Sequence, residues 1–393
     1  MSEVKLYRDR NLLIMLSVNL MSVQAMMAIA PAFPQIVKQL EVSELEVGLL
    51  ITVFSMPGLV LSPFLGVLAD RYGRRRILVP SLFIFSIMGV ACTFARDFNT
   101  LLLLRALQGL GGTALGSINT TIIADMYGGI QRVRAIGLNA SVMFISMPLW
   151  TLLGGALATV AWYYPFALSI FALPMGILTL THLRNPEPQK SGNIKEYLKG
   201  TWGYLRDIRV VALFAAGVLN NVIVFGAYFT YYNLYLGQAF GASSFRIGYF
   251  MAITCTAIGI TSTQLGRMHR RLSLGGIIKL SFVVTALSAV LIPFMPSIWY
   301  LLIPQVIYGM ALGAAMPSLQ TAIASMAPLE HRAAFMSINA TILRGGQALG
   351  PPLIGLFFIY GGFDGAFYAT AALALLVAVV GAVAGKLVKP KQA

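Results

Sequence analysis

The stretch Gly66-Val67-Leu68-Ala69-Asp70-Arg71-Tyr72-Gly73-Arg74-Arg75-Arg76 decides how the rest of the chain is read. It gathers an acid and four arginines around a glycine, and a run without any charged residue lies on each side of it, Val47–Ala69 before and Ile77–Ala95 after. Each run is longer than the roughly 18 apolar residues that carry a helix across a bilayer. A charged, glycine-centred turn between two such runs has the form of a short loop joining two membrane helices. Further charge-free runs occupy Asn11–Val37, Ala135–Leu183, Val210–Phe245, Ile247–Gly266, Leu280–Leu329 and Gly365–Gly385. Of the 393 residues 58% are hydrophobic and 10% charged, against about 25% charged in soluble domains, and the mean hydropathy is +0.79. A soluble fold is excluded.

Two of these runs are long enough for two spans each. The aromatic belt Trp162-Tyr163-Tyr164-Pro165 divides Ala135–Leu183, and Pro293–Trp299 divides Leu280–Leu329. Two more spans are interrupted only by Arg105 and by Arg344. The spacing predicts twelve transmembrane helices over about 11–36, 46–69, 77–95, 99–124, 134–158, 162–183, 209–236, 246–266, 277–295, 298–325, 332–360 and 364–386. Charge tests this count. With a cytoplasmic N-terminus, the outside loops hold only Lys38, Arg96 and Arg246 of the 28 lysines and arginines, and all the rest except Arg105 and Arg344 face the inside. The positive-inside rule then makes both termini cytoplasmic in a multi-pass protein of the cell (cytoplasmic) membrane. The pI near 10 reflects basic loops facing the inner leaflet and needs no nucleic-acid partner. The first run is too long for a signal h-region and leads into Pro34-Gln35, so no cleaved signal is expected. Cys92 and Cys255 sit in apolar runs and read as small core residues, neither a disulfide nor a metal site.

The sequence repeats itself at an offset of 200. Gly66, Arg71, Gly109, Arg132, Asn139, Ala140 and Gly155 match Gly266, Arg271, Gly309, Arg332, Asn339, Ala340 and Gly355 without a gap. The domain reading is therefore an N-terminal six-helix half over 1–183, a cytoplasmic linker over 184–208 and a C-terminal six-helix half over 209–393. In the linker Ile194, Tyr197, Leu198, Trp202 and Leu205 recur at helical spacing, which predicts a short surface helix. Parallel six-span repeats are a transporter architecture, with the substrate site between the halves near the midplane.

The loop at Gly66–Arg76 resembles, at every fixed position, the signature between helices 2 and 3 of the major facilitator superfamily. Leu101-Leu102-Leu103-Leu104-Arg105-Ala106-Leu107-Gln108-Gly109-Leu110-Gly111 is similar to the helix 4 signature of that superfamily's twelve-helix drug:proton antiporter branch. The resemblance runs the length of the chain. It implies an all-α polytopic membrane protein of the major facilitator fold, an alternating-access transporter of small molecules. The branch's helix 5 signature falls on Ser146, Trp150-Thr151 and Gly154-Gly155, where its Gly-Pro is missing. Span 11 instead carries Gly346, Gly350-Pro351-Pro352 and Gly355, with glycines for close helix packing and prolines for a bend.

Physics assigns candidate roles beside the resemblance. Gly66, Asp70, Arg71, Gly73, Arg74 and Asp125 form a candidate cytoplasmic gate, because an anion where span 2 leaves the membrane can meet a helix N-terminus or an arginine. In the second half Arg270 replaces Asp70, Ser273 replaces Gly73 and Leu274 replaces Arg74, so a weaker latch is expected there. Arg105 lies inside a span, where a guanidinium is costly and marks a functional site, and Gln108 follows one turn on. Arg344 is a second candidate of the same kind. Spans 1, 4, 7 and 10 hold Asn19, Gln24, Asn119, Asn220, Asn221, Asn233, Gln305 and Gln320, whereas spans 3, 6, 9 and 12 are nearly bare of such groups, as lipid-facing helices are. Tyr228, Tyr231, Tyr232 and Tyr235 read as one aromatic stripe suited to apolar, aromatic or cationic ligands.

None of the thirteen acids falls in the middle of a span. Proton coupling would therefore use edge acids such as Asp70, Asp125 or Glu46, or another ion drives the carrier, or none does. The expected function is efflux of apolar or amphiphilic drugs or metabolites, with a sugar or other metabolite carrier or a lipid flippase as the alternative. A membrane-embedded enzyme would need a nucleophile constellation or a metal motif, and the sequence shows neither. The chain is read as a monomer that needs no cofactor or metal, with a small-molecule substrate, membrane lipid and, if coupled, protons as its partners.

Overall fold

The computed structural model describes residues 6–183, 207–326 and 332–387; of residues 7, 63, 66, 67, 70, 332–334, 337 and 380–387 it describes the backbone alone. The helix expected in the linker falls on 184–206, outside the described residues. Eleven helices among the described residues are long and apolar enough to cross a membrane. In chain order they are α1 (Arg10–Gln39), α2 (Glu44–Tyr72), α3 (Arg74–Cys92), α4 (Phe98–Met126), α5 (Gly129–Val160), α6 (Tyr164–His182), α7 (Ile208–Phe240), α8 (Ser244–His269), α9 (Leu274–Phe294), α10 (Leu302–Met326) and a final helix (Arg332–Leu387). That last one is broken at Gly362, whose φ of 60° and ψ of −153° are not helical. It is two helices, α11 over 332–361 and α12 over 363–387.

Local chemistry sets the boundaries. The side chains of Asp9, Asp97, Asp207 and Ser273 accept backbone N–H groups in the first turns of α1, α4, α7 and α9. Ser43 and Glu46 cap α2 reciprocally: Ser43 N–H donates to Glu46 Oε2 at 2.7 Å and Glu46 N–H to Ser43 Oγ at 3.2 Å. Gly73 turns the chain between α2 and α3 at φ 94°, a conformation that a Cβ disfavours. α7 departs from regularity. Ile223–Tyr231 is wound as a π-helix, where Gly226 brings its backbone against Gly350 of α11.

The chain divides into two compact units: Met1–Val42 with Val53–Gly192 and Ser244–Tyr249, and Ser43–Thr52 with Asn193–Ser243 and Phe250–Ala393. These differ from a division into 1–183 and 209–393 by two exchanged pieces, the first turns of α2 and of α8. In the second unit the start of α2 packs on α11, with Gly48 facing Pro351 and Thr52 Oγ1 donating to the carbonyl of Ala348 at 2.7 Å. In the first unit the start of α8 packs on α5, where Gly248 and Ser244 lie against Gly155. α3, α6, α9 and α12 each carry large exposed apolar side chains, among them Ile87, Ile177, Leu287 and Val379, as membrane-facing surfaces do.

Candidate functional site

The first unit holds a buried polar chain centred on Arg105. α4 places Arg105 and Gln108 one turn apart on the face toward α2 and α6. Arg105 Nη1 donates to Gln108 Oε1 at 2.6 Å, and the guanidinium carbon lies 4.4 Å from the centre of the Phe54 ring of α2. Gln108 Nε2 donates in turn to Ser169 Oγ of α6 at 2.9 Å, and Ser169 Oγ donates to Gln24 Oε1 of α1 at 3.2 Å. Gly89 of α3 leaves this chain room, since a Cβ there would collide with Ser169 Oγ and Gln108 Nε2. Arg105 is 1% exposed and Gln108 and Gln24 are fully buried, so the cation is held by one amide, one π face and further polar contact inside the helix bundle. Gln24 Nε2 has no partner among the described residues. Nearer the arginine-bearing helix ends, Asn19 Nδ2 donates to the carbonyl of Asn139 at 2.7 Å and Asn119 Nδ2 to that of Met15 at 3.0 Å, tying α1, α4 and α5 together.

The second unit is built differently at the corresponding place. Tyr228 of α7 stacks face to face on Tyr308 of α10, with centroids 3.3 Å apart and planes 3° from parallel. Tyr228 Oη and Ser288 Oγ of α9 are 3.0 Å apart, and Ser288 Oγ donates to the carbonyl of Pro304 at 2.7 Å. Tyr308 Oη and Gln305 Oε1, both on α10, are buried without a partner among the described residues. The four tyrosines of α7 do not share one face. Tyr228 and Tyr232 turn toward α10, α9 and α12, Tyr235 packs on Phe363 and Phe367, and Tyr231 faces Phe358 and Gly355 of α11. The expected single stripe assumed an α-helical period, and the π-helical turn at Ile223–Tyr231 rotates Tyr231 out of it. Asn220 and Asn221 line a cavity of about 10 Å³ with Gln320 and Leu343, room for about one water. Asn233 Nδ2 donates to the carbonyl of Phe229 at 2.7 Å, and Arg344 is half-buried on α11.

At the loop between α2 and α3 Arg74 forms an ion pair with Asp125, the last acid of α4. Arg75 donates to the carbonyls of Leu183, at 3.2 Å, and Leu180 at the end of α6. Arg71 lies over the ring of Tyr72 at 5.5 Å. The side chain of Asp70 lies outside the described residues, and Gly66 is described in its backbone course alone. The packing glycines meet specific neighbours: Gly154 the backbone of Ala28, Gly346 the carbonyl of Val218, and Gly355 the side chains of Leu45 and Tyr231. Every described acid is at a helix end or in a connection: Asp9, Asp97 and Asp207 are caps, Glu41 precedes α2, Glu44 and Glu46 begin it, Asp70 and Asp125 stand in last turns, and Asp364 begins α12.

Sequence reading did not single out Phe54, Ser169, Ser288 or Tyr308. The signal for Tyr308 was present in the repeat, which sets it opposite Gln108. The other three become visible only through the tertiary contacts of α2, α6 and α9.

Helices of membrane length around buried polar groups define a polytopic helical membrane protein. The chain belongs to the Major Facilitator Superfamily, whose family model matches residues 15–298 and 277–393. It is a membrane transporter. Among curated proteins it is similar to the bacillibactin exporter of Bacillus subtilis, 26% identical over 370 residues, which are 88% of this chain and 89% of that one. It is also similar to the quinolone resistance protein NorA of Staphylococcus aureus, 25% identical over 84% of this chain and 85% of that one. Solved structures with the same fold include a bacterial homolog of the human lysosomal transporter Spinster, with a TM-score of 0.78, 17% identity and 97% of each chain covered. The nucleoside transporter NupG also gives 0.78, at 12% identity, over 94% of this chain and 99% of its own.

Proposed function

We propose that this chain exports apolar or amphiphilic, largely aromatic small molecules in the manner of the drug:proton antiporters. It does so from the cell membrane, with both termini in the cytoplasm. The observation that carries the reading is the Tyr228–Tyr308 stack with its unpartnered Tyr308 hydroxyl, in a protein whose spans bury polar and aromatic groups and no acid among the described residues. Flat aromatic faces with one or two open hydrogen-bonding positions favour ligands of low charge and large apolar area over sugars, which need many directed polar contacts. The bacillibactin exporter among its relatives supports the same direction of transport. Arg105, held by Gln108 over Phe54, provides a fixed cation that orients an electron-rich group of the substrate. The Arg74–Asp125 pair, with Asp70, latches the arginine-bearing end of the first half.

Proteoliposomes loaded with an environment-sensitive aromatic dye test the proposal under an imposed pH gradient. Dye movement that follows the gradient and is competed by other amphiphiles is expected. Movement of a neutral sugar in its place overturns the substrate class, and dye movement indifferent to the gradient overturns the proton coupling.

A further inference from the structure

The turn after α8 carries a second cluster of arginines. Arg267, Arg270 and Arg271 surround an open cavity of about 450 Å³ together with Gln264 and Met268. All three arginines are exposed, and among the described residues Arg267 Nη1 donates to Gln264 Oε1, at 2.7 Å. Among the described residues, no carboxylate pairs with them. From residue 208 to 329 the sequence contains no Asp or Glu. The first half answers its arginines internally: Arg74 pairs with Asp125 and Arg75 is held by carbonyls at the end of α6. At the repeat-equivalent positions the second half has Leu274 in place of Arg74, Ser325 in place of Asp125 and Arg270 in place of Asp70. The turn differs too. Ser273 is extended at φ −66° and caps α9, where Gly73 needs φ 94°, so Arg270 and Arg271 end in an open turn.

The cavity also continues into an uncharged surface. On α8 the exposed residues Thr256, Ile260 and Thr263 lead along one face to Arg267, and Leu272 is exposed beside the arginines. A cluster of guanidinium forks at the end of a membrane helix, open to solvent and joined to an uncharged exposed stripe, matches a phosphate with two acyl chains below it. We propose that Arg267, Arg270 and Arg271 form a binding site for the headgroup of an anionic phospholipid, whose chains lie along the Thr256–Thr263 face of α8. Helix-terminal arginines acting only as topology signals would attract anionic lipid diffusely, at any position carrying the same charge.

The full chain purified in a neutral detergent separates the two. Phosphatidylglycerol titrated into it raises the thermal unfolding midpoint in a saturable way, and phosphatidylcholine does not. Replacing Arg267, Arg270 and Arg271 together by Ala shifts the half-saturating lipid concentration up roughly a hundredfold, since each basic residue near a lipid surface contributes about fivefold. The equally charged control, with Lys386, Lys389 and Lys391 replaced by Ala, keeps the wild-type midpoint of titration. If the triple variant does not fold, Arg270→Asp alone, which restores the residue type of the first half, removes the saturable response. Equal titrations for wild type and the arginine variants overturn the site, as does an equal loss in the lysine control. A saturable response to inorganic phosphate at the same concentrations as the lipid overturns the lipid as occupant.

Discussion

The two halves of the chain share a repeat but not a chemistry. In the first, Arg105 and Gln108 on α4 form a hydrogen-bonded cation and amide that reach through Ser169 to Gln24. In the second, the residues 200 positions later on α10 are Gln305 and Tyr308, and Tyr308 is stacked on Tyr228. The ends differ in the same sense. Arg74 and Asp125 pair in the first half, and Leu274 and Ser325 stand at those positions in the second. Duplicated spans thus supply one scaffold twice, and divergence has placed the fixed cation and the ion pair in one copy and the aromatic surface in the other.

Substitutions that copy one half onto the other test this division directly. Arg105→Gln, which installs the residue of the second half, has the largest expected effect. It removes the charge from Phe54 and Gln108 while the repeat shows that an amide fits such a position. Transport falls roughly ten- to hundredfold, the size of a lost charged hydrogen bond, with detergent-extracted protein at the wild-type level. Arg105→Lys keeps part of the activity if charge is what counts and none if the planar fork is needed. Wild-type uptake by both variants would make Arg105 a structural residue and erase the contrast between the halves.

The aromatic half breaks more gently. Tyr308→Leu removes the stack on Tyr228, worth about 0.5–1.5 kcal/mol beyond burial, so the Kd for a flat aromatic substrate rises about two- to tenfold. Tyr308→Phe keeps the ring and most of the affinity. Equilibrium binding by dye fluorescence measures both, and unchanged affinity in Tyr308→Leu means that the stack serves packing alone.

These contrasts also show what the sequence carries. The spans were legible because lipid tolerates so few charges that the gaps between them mark the helices, and the gate loop because Asp70, Gly73 and the arginines occupy fixed spacings. The capping of α4 by Asp97 and of α9 by Ser273 follows from local residue types. What stayed hidden depends on distant partners. Phe54 and Ser169 are ordinary residues of apolar spans until α2 and α6 bring them to Arg105 and Gln108. The tyrosines of α7 were legible as residues but not as a surface, because the π-helical register is set where Gly226 meets Gly350 on another helix.

The Arg74–Asp125 ion pair ranks next in effect. Asp125 is 38% exposed and Arg74 13%, so the pair is partly solvated and Asp125→Asn costs about 1 kcal/mol at most, a drop of up to about fivefold in transport. It also bears on coupling. With every described acid at a helix end or in a connection, substrate affinity varies little between about pH 6 and 8, where unperturbed carboxylates stay ionised. Any proton dependence of transport is lost in Asp125→Asn or Glu46→Gln. A steep dependence that survives both moves coupling to Asp70 or a histidine and removes Asp125 from the comparison.

The smallest expected effect concerns how α4 and α10 begin. Asp97 caps α4, and its repeat counterpart Ser297 opens a turn before α10. Asp97 accepts the Thr100 backbone N–H at 2.8 Å, and hydrogen bonds from Thr100 hold its carboxyl below the usual range. A depressed carboxyl stabilises the folded state while it is ionised, so the contribution is complete above the ordinary pKa near 4 and is lost as pH falls through the lowered value. The first turn of α4 therefore loosens in acid and the first turn of α10 does not. Asp97→Ser copies the second half, keeps a capping oxygen and removes the titration. Amide exchange at residues 98–101, compared between wild type and Asp97→Ser from about pH 3 to 6, is expected to diverge only at the acid end. Parallel profiles would mean that the carboxylate adds nothing a hydroxyl does not, and the two helix starts would then be equivalent in energy despite their different residues.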